Sequence, residues 1–196
     1  AAYLKSAANV NTSTATSSRR DLLDSIKVLK NASSASVDGL VASLVEAVTD
    51  YDDPSEMADV ANQDQAIALL ESVSSTSGAL TDDTIVASTT AVTNLVSATA
   101  TSNTSSRLNS STSIETVLVQ LSTKMLESAV PGEDQQTAQT RGSSERPVSI
   151  EINGRVASTS SMGSTVLSST STGTKVEFPP LPTNVESTLS VQLSAI

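Results

Sequence analysis

Serine, threonine, aspartate and glutamate are the side chains through which this chain could do chemistry, because histidine and cysteine are absent from its 196 residues. Without an imidazole or a thiol, acid–base work falls to paired carboxylates, and nucleophilic work to a hydroxyl activated by lysine. Neither arrangement stands out. Ser122-Thr-Lys124 sets serine one position too close to lysine for a Ser-x-x-Lys pattern, and hydroxyls are so widely spread that no single one is marked. The seven glycines form no loop that would cradle a phosphate. The expectation is a chain that is not an enzyme, with no catalytic residue and no cofactor. Composition also excludes disulfides and cysteine- or histidine-based zinc sites.

Asp50, Asp52, Asp53 and Glu56 make the densest acidic group. A calcium site needs several oxygens converging from one loop. This run lacks the alternating spacing and the turn glycine of an EF-hand loop, so a solvated loop between helices is expected and no metal site. Four Asn-x-Ser/Thr sequons supply modification chemistry: Asn11-Thr-Ser13, Asn31-Ala-Ser33, Asn103-Thr-Ser105 and Asn109-Ser-Ser111. Roughly a third of all positions are Ser or Thr, so this number is near what chance supplies. Their placement is the better argument. All four are expected in loops or at helix ends, where a glycan on Asn11, Asn31, Asn103 or Asn109 would be accommodated.

The net charge of −10 argues against nucleic acid as a partner, because phosphate neutralisation needs basic patches. The one adjacent basic pair, Arg19–Arg20, reads as a solvated helix start. No run of about 18 apolar residues is present, so no membrane-spanning helix is expected, and no signal peptide is visible. A chain that starts at Ala1 is expected to be an internal or processed segment. Aromatic residues are 2 % and hydrophobic residues 37 %, so any core must be built from Leu, Val, Ile and Ala. Such a core buries less apolar area per side chain than an aromatic one. Modest stability, or completion by neighbouring chains, is expected.

The elements that would position these groups follow from apolar period. Residues 1–18 read as a flexible N-terminal segment. A helix from Arg19, capped by Ser18, carries Leu22, Leu23, Ile26 and Leu29 on one face. A second, capped by Ser36, carries Val37, Leu40, Val41, Leu44, Val45 and Val48, and Asp50–Pro54 ends it. A third runs from Ser55 or Asn62 to Ser74, with Gly78 as a stop. A fourth opens at Thr81, Asp82 and Asp83, with acids at its N-terminus, and carries Ile85, Val92, Leu95 and Val96. A fifth runs from Ser113 towards Ala129, before Pro131–Gly132. The dense Ser/Thr runs, among them Asn109–Ser113 and Ser158–Thr174, read as loops or stalks. Residues 131–146 read as a linker. Beyond it the period becomes two. Val148, Ile150 and Ile152 alternate with polar residues, and Asn153–Gly154 reads as a tight hairpin turn. Thr165–Leu167, Lys175–Phe178 and Thr188–Leu193 are further strands. The fold class is thus α+β: short antiparallel helices over 19–130, then a small antiparallel β subdomain over 147–196.

The runs Arg20-Asp-Leu-Leu-Asp-Ser-Ile26, Val41-Ala-Ser-Leu-Val-Glu-Ala-Val-Thr49, Asp53-Pro-Ser-Glu-Met57 and Asp64-Gln-Ala-Ile-Ala-Leu-Leu-Glu-Ser-Val73 resemble the REJ/GAIN ectodomain region of polycystin-1-like receptors. Val176-Glu-Phe-Pro-Pro-Leu-Pro182 is similar to a GAIN sheet segment ending in a Pro-rich turn, and the resemblance covers about residues 19–193. It implies a non-catalytic module of a large cell-surface protein, extracellular and on a ciliary membrane. The implied partners are other chains or domains of a surface complex, a polycystin-2-like channel or an extracellular filament. A GAIN domain closes with a self-cleavage motif containing His, flanked by Cys and Trp. This chain has none of the three, so it would correspond to the part upstream of that motif. The alternative reading is a secreted filament subunit of flagellin-like composition. Such subunits carry long continuous heptads, whereas these helices are short and punctuated.

Overall fold

The computed structural model describes residues 12–31, 36–49, 55–99, 104–127, 129–140, 148–158, 162–179 and 190–195. Among them helices come first and antiparallel strands second, which is the α+β order expected.

Helix α1 spans Thr12–Lys30. It begins ahead of Arg19, so residues 12–18 are helical and not part of a flexible segment; residues 1–11 lie outside the described residues. Tertiary contact decides this, because Asn62 Nδ2 donates to the Thr16 carbonyl across to another helix at 3.2 Å. The earlier start places Arg19 on the inward face with Leu23 and Ile26. Arg19 is fully buried, not solvated, and its Nη1 donates to the Ala47 carbonyl at 2.7 Å. That carbonyl belongs to the last turn of α2 (Val37–Thr49), the negative end of its dipole. Leu29 is exposed, so the inward stripe runs 19–23–26 and stops there.

Ser36 caps α2 as expected, its Oγ accepting from Gly39 N at 3.1 Å. Leu40, Val41, Leu44 and Val48 are buried along it. The expected terminator at residues 50–54 lies outside the described residues. The single third helix expected is instead two, α3 (Ser55–Ala58) and α4 (Val60–Ser74). The break is at Asp59, whose extended backbone (φ −66°, ψ 123°) lets its carboxylate accept from Asn62 N at 3.1 Å. Arg20 Nη2 donates to the same carboxylate at 2.9 Å, tying α1 to the break.

Helix α5 (Asp82–Thr99) opens where the acids predict, with Thr81 Oγ1 accepting from Thr84 N at 3.2 Å. It is buried on nearly every side. Ile85, Ala91, Val92, Leu95 and Ala98 are enclosed, and so are Ser88, Thr89, Thr93 and Asn94. The threonines satisfy themselves on the helix: Thr89 donates to Ile85 O at 2.8 Å and Thr93 to Thr89 O at 2.9 Å. Helix α6 spans Thr104–Leu126 and not Ser113–Ala129. Its apolar second half, Ile114 to Leu126, is packed in the core. Extending an established helix backwards costs little, even through Ser and Thr. The Asn109–Ser113 run is therefore helical.

Five strands follow among the described residues: β1 (Gln136–Gln139), β2 (Glu151–Ser158), β3 (Val166–Ser168), β4 (Lys175–Glu177) and β5 (Ser190–Ala195). A short 3-10 turn, Met162–Ser164, precedes β3, so the Ser158–Thr174 run is structured in part. One sheet has the order β1-β2-β5; β3 and β4 form a separate hairpin. Two expectations fail here. Residues 131–146 are not wholly a linker, because β1 lies within them. Its Gln-Thr-Ala-Gln sequence shows no alternation, and only Ala138 is buried. Asn153–Gly154 is no hairpin turn either. Both sit inside β2, opposite Thr137 and Gln136 of β1 and Ala195 and Ser194 of β5.

Gly154 has a packing role. A Cβ there would stand 2.9 Å from Met125 Cε and 3.0 Å from both Leu126 methyls. The missing side chain lets the end of α6 lie directly on β2. One buried apolar cluster accordingly joins the helices to Ala138, Ile152 and Val156 of the sheet.

Among the described residues Ser88 Oγ is buried with no hydrogen-bond partner, whereas Thr93 Oγ1 is bonded to Thr140 Oγ1 at 2.6 Å. Ser88→Ala is expected to stabilise the fold by about 1 kcal/mol and Thr93→Val to destabilise it by about 1 kcal/mol. Urea unfolding of the two variants checks this; a loss on Ser88→Ala would mean that its hydroxyl has a partner.

Candidate functional site

The residues that converge in this fold lie on the face of β2 opposite the helices. Strand alternation sends Ile152, Gly154 and Val156 towards α6 and leaves Glu151 and Asn153 on the other side. In register with Asn153 is Thr137 of β1, and its Oγ1 donates to Asn153 Oδ1 at 2.8 Å. Gln135, just before β1, donates to the same oxygen at 2.7 Å. Asn153 Nδ2 in turn donates to Glu151 Oε1 at 2.8 Å.

The network then crosses to the β3–β4 hairpin by two routes. Gln135 behaves like a peptide unit of a neighbouring strand. Its Oε1 accepts from Ser168 N at 2.7 Å and its Nε2 donates to Ser168 O at 2.8 Å. Glu151 holds the turn itself, accepting from Thr170 N at 2.7 Å, Ser171 N at 3.2 Å, Ser169 Oγ at 3.1 Å and Ser171 Oγ at 2.6 Å. The turn closes through Gly173, whose φ of +70° an L side chain rarely adopts. Between turn and sheet lies a cleft of about 290 Å³, walled by Leu167 and Val176 and edged by Ser149 and Thr174.

Burial would raise the Glu151 pKa. Hydrogen bonds from Ser171, Asn153, the Thr170 backbone and Ser169 outweigh it and lower the value from 4.5 to about 2. A carboxylate so occupied holds no proton near neutrality. It serves as an acceptor that fixes the hairpin.

The positions marked in the sequence do not gather here. Asn31 is exposed in the turn that ends α1. Asn11 and Asn103 lie outside the described residues. Asn109 lies within α6, more than one turn from its start, so the expectation of a loop or helix end fails for that sequon. Ser122 is buried and donates to Val119 O at 2.8 Å, while Lys124 pairs with Glu127 at 2.6 Å; each is engaged elsewhere. Asp50, Asp52 and Asp53 lie outside the described residues. Among the described residues, no group of three or more Asp or Glu is placed to hold a metal ion, and no helix is long and apolar enough to cross a membrane. Comparison with protein-family models, with curated proteins and with solved structures finds no match to this chain.

Sequence reasoning missed Gln135, Glu151 and the Ser169–Ser171 turn. The signal was the acid inside an alternating strand followed by a Ser-rich turn containing Gly173.

The lowered pKa fixes the sign of a pH effect. Above about pH 4.5 the charged Glu151 contributes its full stabilisation, which is lost as pH falls towards 2. The contribution is on the order of 2 kcal/mol after allowing for its partial exposure. Glu151→Gln is expected to remove that part of the acid dependence, read as the difference in urea midpoint between pH 6 and pH 3; an unchanged difference would contradict the assignment.

Proposed function

We propose that this chain is a non-catalytic structural and interaction module of a large polycystin-1-like cell-surface protein, on the extracellular side and on a ciliary membrane. It acts by positioning and contact. The observation that carries this reading is how the chain uses its polar groups. Arg19, Asp59, Gln135, Asn153 and Glu151 each tie one element to another. Their bonds fix the relative placement of helices, sheet and hairpin, which suits a stiff spacer. In the REJ/GAIN family that the chain resembles, short helices precede a β-rich subdomain, and helices precede strands here too.

Partner contact would use apolar residues left outside the core. Val28 and Leu29 are 69 % and 52 % exposed at the end of α1, flanked by Lys27 and Lys30. An apolar centre with a charged rim is the anatomy of many protein interfaces. Partners would be other chains of a surface complex, such as a polycystin-2-like channel or an extracellular filament. Glycans would sit on the sequons, first on Asn31, which is exposed.

The experiment is isolation of the full-length protein from native membranes. The reading predicts a surface location, co-isolation of a channel or surface filament, and a fall in mass on glycosidase treatment. An intracellular, unglycosylated protein isolated without any surface partner would contradict it.

A further inference from the structure

The three-stranded sheet packs on α5 and α6. Helix α6 packs against β2 and β5, and α5 lies beside α6 and packs against β1. Neighbouring helices stand about 8–10 Å apart, but neighbouring strands only about 4.8 Å. Two helices side by side therefore span more width than two strands, and α5 reaches the edge of β1, where Asp82, Ile85 and Val86 share a recess with Gln136, Thr137 and Ala138.

That edge is open among the described residues, because the sheet order is β1-β2-β5. The bond from Thr140 N to Ile150 O at 2.9 Å sets the phase of the ladder. Residues paired by backbone bonds alternate along an antiparallel strand. Gln136 and Ala138 thus bond to β2, while Thr137 and Gln139 turn their N–H and C=O outward. Beneath this edge is a recess of about 220 Å³, lined by Ile85, Val86 and Met125 with Asp82 at its rim. Val86 is 40 % exposed there.

We propose that the outer edge of β1 receives an extended segment of a partner protein, added as a fourth strand over α5. Backbone groups of Thr137 and Gln139 supply the pairing. An inward apolar side chain of the segment fills the recess over Val86, and a Lys or Arg beside it meets Asp82. Charge selects the occupant. Asp82 borders the edge, and the chain carries −10, so pairing β1 with a second copy would bring like charges together. A basic segment gains where a second copy loses. The proposal rests on the reading of the chain as an interaction module and gives it a second contact surface, apart from Val28 and Leu29.

The test uses the intact chain and a capped hexapeptide of alternating valine and threonine carrying one lysine. Saturable binding is expected, with the Thr137 and Gln139 amides becoming protected from hydrogen exchange. Gln139→Pro removes one outward N–H, is compatible with an edge position, and should weaken binding about tenfold. Asp82→Lys leaves the backbone intact, and should weaken this peptide while improving a version with glutamate in place of lysine. Absence of binding, or binding indifferent to both variants, would overturn the proposal. So would amides of Thr137 and Gln139 already protected in a concentration-dependent dimer. If the peptide fails but the native protein is isolated within a surface complex, the edge assignment falls and the module reading stands. If the peptide binds but the native protein has no surface partner, the reverse holds.

Discussion

The close approach of α6 to β2 at Gly154 is the contact on which the rest of the arrangement depends. A polar, short-stranded sheet with few aromatics has little apolar surface of its own to bury. It borrows the helical core instead, placing Ile152 and Val156 among the residues that close the helices. That is only geometrically available if the strand backbone comes near Met125 and Leu126, and only glycine at 154 leaves the space. From this one approach follow the face of β2 that looks outward, the register of β1 and β5 on either side of it, and the orientation of Glu151 and Asn153 towards the hairpin.

Away from that contact, the chain makes up for a thin core with polar bonds in unusual places. Threonines inside α5 donate back to carbonyls one turn earlier. A buried guanidinium ends α2, a capping carboxylate doubles as an ion partner, and a glutamine side chain stands in for a strand. Each of these groups is satisfied by a specific partner in a specific geometry, so they favour one arrangement over its neighbours even where their net stabilisation is small. A scaffold held this way suits contact functions, where relative placement matters more than depth of stability.

The legible and illegible parts divide along physical lines. Helices with an apolar stripe, such as Leu40–Val48 and Ile114–Met125, were plain in the sequence because periodicity reports burial directly. The cap at Ser36 was plain because a hydroxyl before an apolar run has a local job, and the start of α5 because acids gather at a helix N-terminus; Ser18, expected as a cap, lies within α1. Boundaries through Ser/Thr-rich chain were not. Thr12–Ser18 and Thr104–Thr112 are helical through connection to packed neighbours, which a local window does not see. Asn153–Gly154 carried the strongest turn signal in the chain, yet Gly154 answers to Leu126, nearly thirty residues away. β1 is nearly silent because its partners supply the pairing. The polar network was hidden for the same reason: Gln135 and Ser168 acquire meaning only across the fold.

The claim that helices and sheet are one body through β2 is tested most directly by Gly154→Val, with unfolding followed in urea through the helical far-ultraviolet signal. A branched side chain at this position overpacks the α6 contact and should cost about 3 kcal/mol. The account predicts that the helical signal is lost in a single transition at a clearly lower urea midpoint than in the parent chain. Helices that unfold at the parent midpoint, while only the sheet loosens, would contradict it.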